Sequence, residues 1–308
     1  MTDRRVIDLS EFPARVNVRG ELLVIGRKDQ PEVTVPMREI AVLVASHPAI
    51  TISHAAIAAL AGSKAAFLAC DAKRHPAAML LPLDNHVTQA ERFRAQAAAP
   101  KPLVKRLWQT IVRAKLNAQA DLLEVLGLDP ALLRNLVNEV RSGDPANIEA
   151  QGARRYWSSL VRAEMLPPTF RRERYGPWPN ALFNYGYAVL RAAAARAVSS
   201  AGLHPSIGLH HHNRYNAFCL ADDLMEPYRP LVDRAVLRIA DQEEPEEGIS
   251  MEMRRELLNV SLDNYVAEGE SRGLFDILER GGARLASALL GDIKPREFRL
   301  PEVLYASA

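Results

Sequence analysis

The sequence predicts an α+β protein in which a small N-terminal β-rich domain is followed by a larger all-helical C-terminal domain. Three observations predict it. Short runs rich in Val and Ile, split by turn residues, fill roughly the first 86 residues. Beyond Pro102, apolar residues recur at three- and four-residue spacing. Alanine and leucine are abundant and aromatic residues make up only 6%, which favours helix for most of the chain. A chain of 308 residues allows one large domain or two ordinary ones. The boundaries read as a β-rich domain over 1–86, a helical linker over 87–101 and a helical domain over 102–308.

The elements follow in order. ARVNVRG and ELLVIGR flank Arg19-Gly20, a hairpin turn. PEVTVP, IAVLVAS and AITIS are further strands. SHAAIAALAGSK reads as a short helix capped by Ser53 and stopped near Gly62, and AAFLACD and AAMLLPL as two buried strands. HVTQAERFRAQAAAP is a helix that is polar on one side. PLVKRLWQTIVRAKLNAQADLLEVLG is a long helix. DPALLRNLVNEVRSG and DPANIEAQGARRYWSSLVR each open on Asp-Pro, where Asp caps the helix and Pro occupies its first turn, a position at which the missing N–H costs nothing. EMLPPTFRRERYGPWP is a Pro- and Arg-rich loop. NALFNYGYAVLRAAAARAVSSAG is a helix ended by Gly202, and another helix covers about 219–240. QEEPEEG is an acidic loop, two more helices run to about Gly291, and the tail shows no clear period.

Composition excludes several classes. With 48% hydrophobic and 25% charged residues, the chain suits a soluble globular protein. The two cysteines, Cys70 and Cys219, form no CxxC pair, which argues for a reducing compartment and against a thiolate zinc site. MTDRRVIDLS lacks the apolar run of a signal peptide, and HAAIAALAGSKAAFLAC is broken by Gly62, Ser63 and Lys64, so no membrane span is expected and the expected location is the cytoplasm. The net charge of +2 is unevenly spread. Residues 87–180 carry 15 Lys and Arg against 9 Asp and Glu, whereas 181–308 carry 14 against 19. A basic middle beside an acidic end suits a protein that meets a polyanion on one face and gathers carboxylates around cations elsewhere.

The chemistry-bearing residues cluster in GLHHHNRYNAFCLADDLMEP. Asp223 and Glu226 are three apart, so a helix would place both carboxylates on one face. Two such groups repel unless a cation lies between them, and hard oxygen ligands suit Mg²⁺ or Mn²⁺. A solvated helix start, where acids favour the dipole, gives the same pattern. His210, His211 and His212 lie one loop upstream. Consecutive residues cannot all face one point, so one or two of them at most would ligate, and imidazole moves the preference toward Mn²⁺. Glu149 stands near a helix start with Arg154 and Arg155 following, a pattern that fits a metal beside a phosphate as well as an ordinary surface mixture.

Three blocks, NIEAQGARRYW, NALFNYGYAVL through GLHPSIG, and DLMEPYRPLVD, resemble the CRISPR-associated endonuclease/integrase family in order and spacing, closest to the variant found beside type II effectors. The resemblance covers nearly the whole chain and includes ITISHAAIAAL. It implies that Glu149, His211 and Glu226 coordinate a catalytic Mg²⁺ or Mn²⁺, with Asp223 as a further candidate ligand, while His210 and His212 fall off the ligand position. His204 in GLHP stands where relatives often carry Asp, which leaves its role open. The implied reaction joins a protospacer DNA 3′-OH to a CRISPR-repeat phosphodiester by transesterification, with no covalent protein intermediate. The implied assembly is a homodimer formed largely through the β domains, two such dimers being bridged by a small CRISPR-associated partner dimer.

Double-stranded DNA would be held through its phosphates, with Arg154, Arg155, Arg171, Arg172, Arg174 and Arg141 as candidates, some of them instead pairing with the acidic C-terminal third. Tyr185 and Tyr187 read as core or supporting residues, with Asn180 and Asn184 orienting that shell. Two other functions compete. One is a catalytically inactive helical DNA-binding scaffold, against which the presence of Glu149, His211 and Glu226 argues. The other is a metal-dependent phosphoesterase, disfavoured by the basic middle and by the lack of a Gly-rich phosphate loop.

Overall fold

The computed structural model describes residues 4–71, 76–82, 84–174, 176–240 and 248–304. Most of the acidic QEEPEEG segment lies outside them. Two four-stranded sheets build the N-terminal part. The first is ordered β1 (Arg5–Leu9), β5 (Ile40–Ala45), β7 (Ala66–Cys70), β8 (Pro76–Leu80). The second is ordered β4 (Val33–Pro36), β3 (Leu22–Gly26), β2 (Arg15–Arg19), β6 (Thr51–Ile52). The expected hairpin joins β2 to β3, turning at Gly20 with φ +59°. Helix α1 (His54–Gly62) is capped as its sequence indicates, Ser53 Oγ accepting the Ala56 N–H at 3.2 Å.

Strand alternation explains how this region joins the rest. Leu43 faces a local core with Val16, Leu23, Ile25 and Leu60. Its neighbours Val42 and Val44 face the opposite way, into the main helical core. Strand β5 is therefore covered on both faces, which is why it reads as an unbroken apolar run.

The helical part comprises α2 (Gln89–Ala97), α3 (Lys101–Val125), α4 (Ala131–Glu139), α5 (Ile148–Arg162), α6 (Asn180–Ser200), α7 (Cys219–Met225), α8 (Arg229–Ala240), α9 (Met251–Leu262) and α10 (Leu274–Leu290). Helix α6 runs through the centre, with Ala192 to Ala195 all buried. Such small residues let neighbours approach: a Cβ on Gly282 of α10 would lie 3.0 Å from the Ala197 carbonyl oxygen. Helix α2 is clasped to the loop after α6. Gln96 donates to the His204 and Ile207 carbonyls at 3.0 and 2.7 Å, and Arg92 to the Ala201 carbonyl at 2.7 Å.

The C-terminal part is mostly helical but also carries a three-stranded sheet ordered β10 (Glu270–Gly273), β9 (Asn264–Ala267), β11 (Val303–Leu304). Its hairpin turns at Glu268-Gly269, with φ +55° and +78°, a pair of left-handed residues that matches the strand twist. The helix expected over 219–240 is two helices separated by a 3₁₀ turn at Glu226–Tyr228. Pro227 has no N–H to continue the ladder there.

Candidate metal and DNA site

Four segments meet at Lys115. This lysine lies on the buried stripe of α3, between Val112 and Gln119, and its side chain is 9% exposed. Its ammonium donates to Glu149 Oε1 and lies 2.6 Å from Glu226 Oε2. Glu149 comes from the first turn of α5 and Glu226 from the turn after α7. Arg229 Nη2 holds the other oxygen of Glu226 at 2.9 Å. Glu226 Oε2 is buried, and the Lys115 ammonium at 2.6 Å is its charged neighbour.

Burial alone would push the Glu226 carboxyl up, but Arg229 and Lys115 outweigh it and hold it at about 2. Burial disfavours the charged form of Lys115, and the two carboxylates more than restore it. Glu149 is placed by an unusual cap. Asp144, itself at φ +48°, accepts the Ile148 and Glu149 N–H groups, each at 2.9 Å. The N-cap position is held by Asn147, not by the expected Asp144, which reaches the first helical N–H groups from three residues upstream; Pro145 lies outside the helix, because the chain makes a turn before α5 begins at Ile148. Asp144→Ala removes both acceptors. It is expected to cost about 1–2 kcal/mol, visible as a lower melting temperature in thermal unfolding.

Asp223 Oδ2 accepts the Leu209 and His210 N–H groups at 2.6 and 3.2 Å, and its Oδ1 accepts the His211 N–H and the His211 ring Nδ1–H at 3.2 and 2.7 Å. Fully buried, it folds the loop 208–212 around itself. In this arrangement both Asp223 oxygens are engaged by the loop backbone and the His211 ring. The hydrogen bond to Asp223 raises the His211 pKa above its usual value, and in the neutral ring it holds the proton on Nδ1 and leaves the lone pair on Nε2. Trp108 braces the loop, with His210 stacked on it at 4.3 Å and His211 edge-on at 5.9 Å. His212 is exposed. His204 packs on Phe93 at 5.2 Å and pairs with Ser206 Oγ at 2.7 Å, the bonds of a loop residue. Among the described residues, no three His, Cys, Asp or Glu side chains stand together as a ready metal cage. At Glu149 and Glu226 a lysine occupies the shared position.

A cavity of about 620 Å³ opens beside Lys115, lined by Arg154, Trp157, Arg171, Arg172, Tyr187 and Arg229 among others. The structure thus brings Arg154 and Arg171 to one cavity. Arg155, Arg174 and Arg141 lie outside that lining. Arg172 is engaged by the protein: it donates to Asn180 Oδ1 at 3.0 Å and Asn184 Oδ1 at 2.8 Å, and lies over the Tyr187 ring. It braces α6 through these bonds and also lines the cavity.

Sequence reasoning did not identify Lys115, Arg229 or Asp233. Lys115 carried a signal, a charged residue on the apolar stripe of a helix, which is disfavoured unless paired. Asp233 is buried and accepts from Tyr156 at 2.9 Å and from Tyr187. Burial raises its carboxyl to about 6 against the help of those two hydroxyls. A carboxyl whose folded pKa exceeds its unfolded value gives stability that is lost as pH rises from about 4 to 6. At ~1.4 kcal/mol per unit, this is on the order of 3 kcal/mol. In Asp233→Asn that loss should vanish, so its melting temperature should gain on the wild type between pH 4 and 7. Parallel curves would contradict the assignment.

A carboxylate pair sharing one cation, a histidine held by Asp223 and an arginine-lined cavity meet on a predominantly helical scaffold. The sequence model described as CRISPR associated protein Cas1 matches residues 8–264, and the chain belongs to that family. It is 33% identical over 273 residues to the CRISPR-associated endonuclease Cas1 of Neisseria meningitidis serogroup C, covering 88% of each chain. Among solved structures, a casposase bound to integration product aligns with a TM-score of 0.81 at 19% identity, over 98% of this chain and 95% of that one. A chain of a Cas6-RT-Cas1–Cas2 complex aligns with a TM-score of 0.75 at 18% identity, over 98% of this chain and 36% of that one. Among the described residues no helix is long and apolar enough to cross a membrane.

Proposed function

We propose that this chain is a metal-dependent DNA endonuclease and integrase that joins protospacer 3′ ends into a CRISPR array by transesterification. The observation that carries the proposal is the convergence of Glu149 and Glu226 on one cation position beside the arginine-lined cavity. The residues fit a divalent ion. Glu149 Oε1 and Glu226 Oε2 both face the Lys115 ammonium, which serves as a stand-in cation, and the Nδ1 bond of His211 leaves Nε2 of the neutral ring to coordinate. Glu149, Glu226 and His211 would hold Mg²⁺ or Mn²⁺. Such an ion, when bound, polarises a non-bridging phosphate oxygen and stabilises charge developing on a 3′ oxygen.

The protein's own groups do the rest. Asp223 keeps His211 in one tautomer and orientation. Arg229 keeps Glu226 ionised. Arg154 and Arg171 meet the phosphates of DNA lying along the cavity. In the reaction, the incoming 3′-OH oxygen forms a P–O bond as the target's P–O3′ bond breaks, and the proton passes to the leaving 3′ oxygen. The number of phosphodiesters is unchanged and no side chain becomes covalently attached. The family likeness further supports a homodimer and a bridging pair of small CRISPR-associated partners.

The reaction is tested with labelled duplex and a supercoiled plasmid carrying a repeat, in Mn²⁺ or Mg²⁺. A covalently joined product is expected, and binding without joining would favour the inactive scaffold. The DNA contacts are tested separately. Arg154→Ala combined with Arg171→Ala should weaken DNA binding and lower the slope of log affinity against log salt by about 2. Arg172 stays intact because it braces α6. An unchanged slope would remove both arginines from the DNA path.

A further inference from the structure

The position between Glu149 and Glu226 already has an occupant supplied by the chain. Two features of α3 bear on this. The Lys115 ammonium bridges the two carboxylates. One turn later on the same helix face, Gln119 is 4% exposed and its Oε1 has no hydrogen-bond partner. Residues four apart on a helix are side-chain neighbours, and both line the same cavity. An unpartnered buried amide oxygen is costly, and it lies where a displaced ammonium could reach it.

We propose that Lys115 is an exchangeable cation: it closes the Glu149–Glu226 pair in the metal-free protein and withdraws toward Gln119 and the cavity when a divalent ion enters. The exchange rests on the metal reading above. Without the ammonium, the buried Glu226 carboxylate and the half-buried Glu149 carboxylate would face one another, and like charges out of water repel. With the ammonium in place, an entering ion competes against a resident charge, so the DNA-free protein binds metal weakly. In the cavity, the withdrawn ammonium meets the space available to a DNA phosphate. Metal and DNA therefore assist each other's binding, by a reciprocal coupling.

The test uses full-length, DNA-free protein titrated with Mn²⁺, free ion being read by electron paramagnetic resonance. Wild type, Lys115→Met, Gln119→Leu and the double variant are compared. Lys115→Met should bind Mn²⁺ at least tenfold more tightly than wild type. Gln119→Leu should bind about threefold more weakly, and its effect should disappear in the double variant. Lys115→Met binding no tighter than wild type would overturn the exchange while leaving the metal site standing. A wild-type chain that binds no Mn²⁺ at any concentration would overturn the metal site itself. In EDTA, Lys115→Met should melt lower by about 5 °C, with Mn²⁺ restoring the loss. If the variant is unfolded in EDTA, Mn²⁺ should refold it, and failure to refold at saturating Mn²⁺ would overturn the proposal.

Discussion

Glu149→Gln is expected to lower strand joining by about three orders of magnitude while DNA binding stays within twofold of wild type. The substitution keeps the size of the side chain and leaves the Asp144 cap untouched, since that cap uses backbone N–H groups. What disappears is one anionic ligand of the proposed ion. Losing several kcal/mol of transition-state charge stabilisation, at tenfold per ~1.4 kcal/mol, gives that factor. Glu149 is not a DNA-contacting cation, so filter binding or anisotropy should scarcely change. Wild-type joining by this variant would remove Glu149 from the chemistry, and a parallel loss of DNA affinity would recast it as a structural residue.

Gly208→Ala is expected to be nearly as damaging, without touching any proposed ligand. An added Cβ would lie 2.2 Å from the His211 carbonyl oxygen and 2.9 Å from both Asp223 Oδ2 and Cys219 Cβ. The nearest of these is backbone, so the loop itself must move. That loop presents three N–H groups and the His211 ring to Asp223. Moving it leaves a buried carboxylate short of partners and swings His211 away from Glu226. A destabilisation of about 2–4 kcal/mol follows, with joining reduced about a hundredfold. Thermal unfolding and the joining assay measure the two effects, and a variant with native stability and activity would contradict the role given to the loop.

The pattern of what was legible follows from the range of each interaction. The β2–β3 hairpin, the Ser53 cap and the long α3 were readable because their causes lie within a few residues. The β9–β10 hairpin at Glu268-Gly269 carried a usable turn signal but was absorbed into the expected helical pattern. Strand β1 was missed because its support is a parallel partnership with β5, more than thirty residues away. At the site, spacing marked Asp223, Glu226 and the three histidines as candidates, and only the family resemblance implied the set Glu149, His211 and Glu226. The bonds of Asp223 to the loop backbone were not legible, because three-residue spacing on a helix does not reveal which oxygens the backbone takes. The bracing bonds of Arg172 were hidden for the same reason, its amide partners Asn180 and Asn184 lying in the following helix. Lys115 broke the apolar stripe of α3, but its carboxylate partners come from segments 34 and more residues away, and no local pattern names them.

The most direct measurement of the central claim is anomalous diffraction at the manganese edge from crystals of the protein soaked in Mn²⁺. The account predicts one strong peak bounded by Glu149, Glu226 and His211 Nε2, with Asp223 still bonded to the His211 ring and the Lys115 ammonium withdrawn from between the carboxylates. A peak elsewhere, or a peak that leaves Lys115 bridging Glu149 and Glu226, would contradict it.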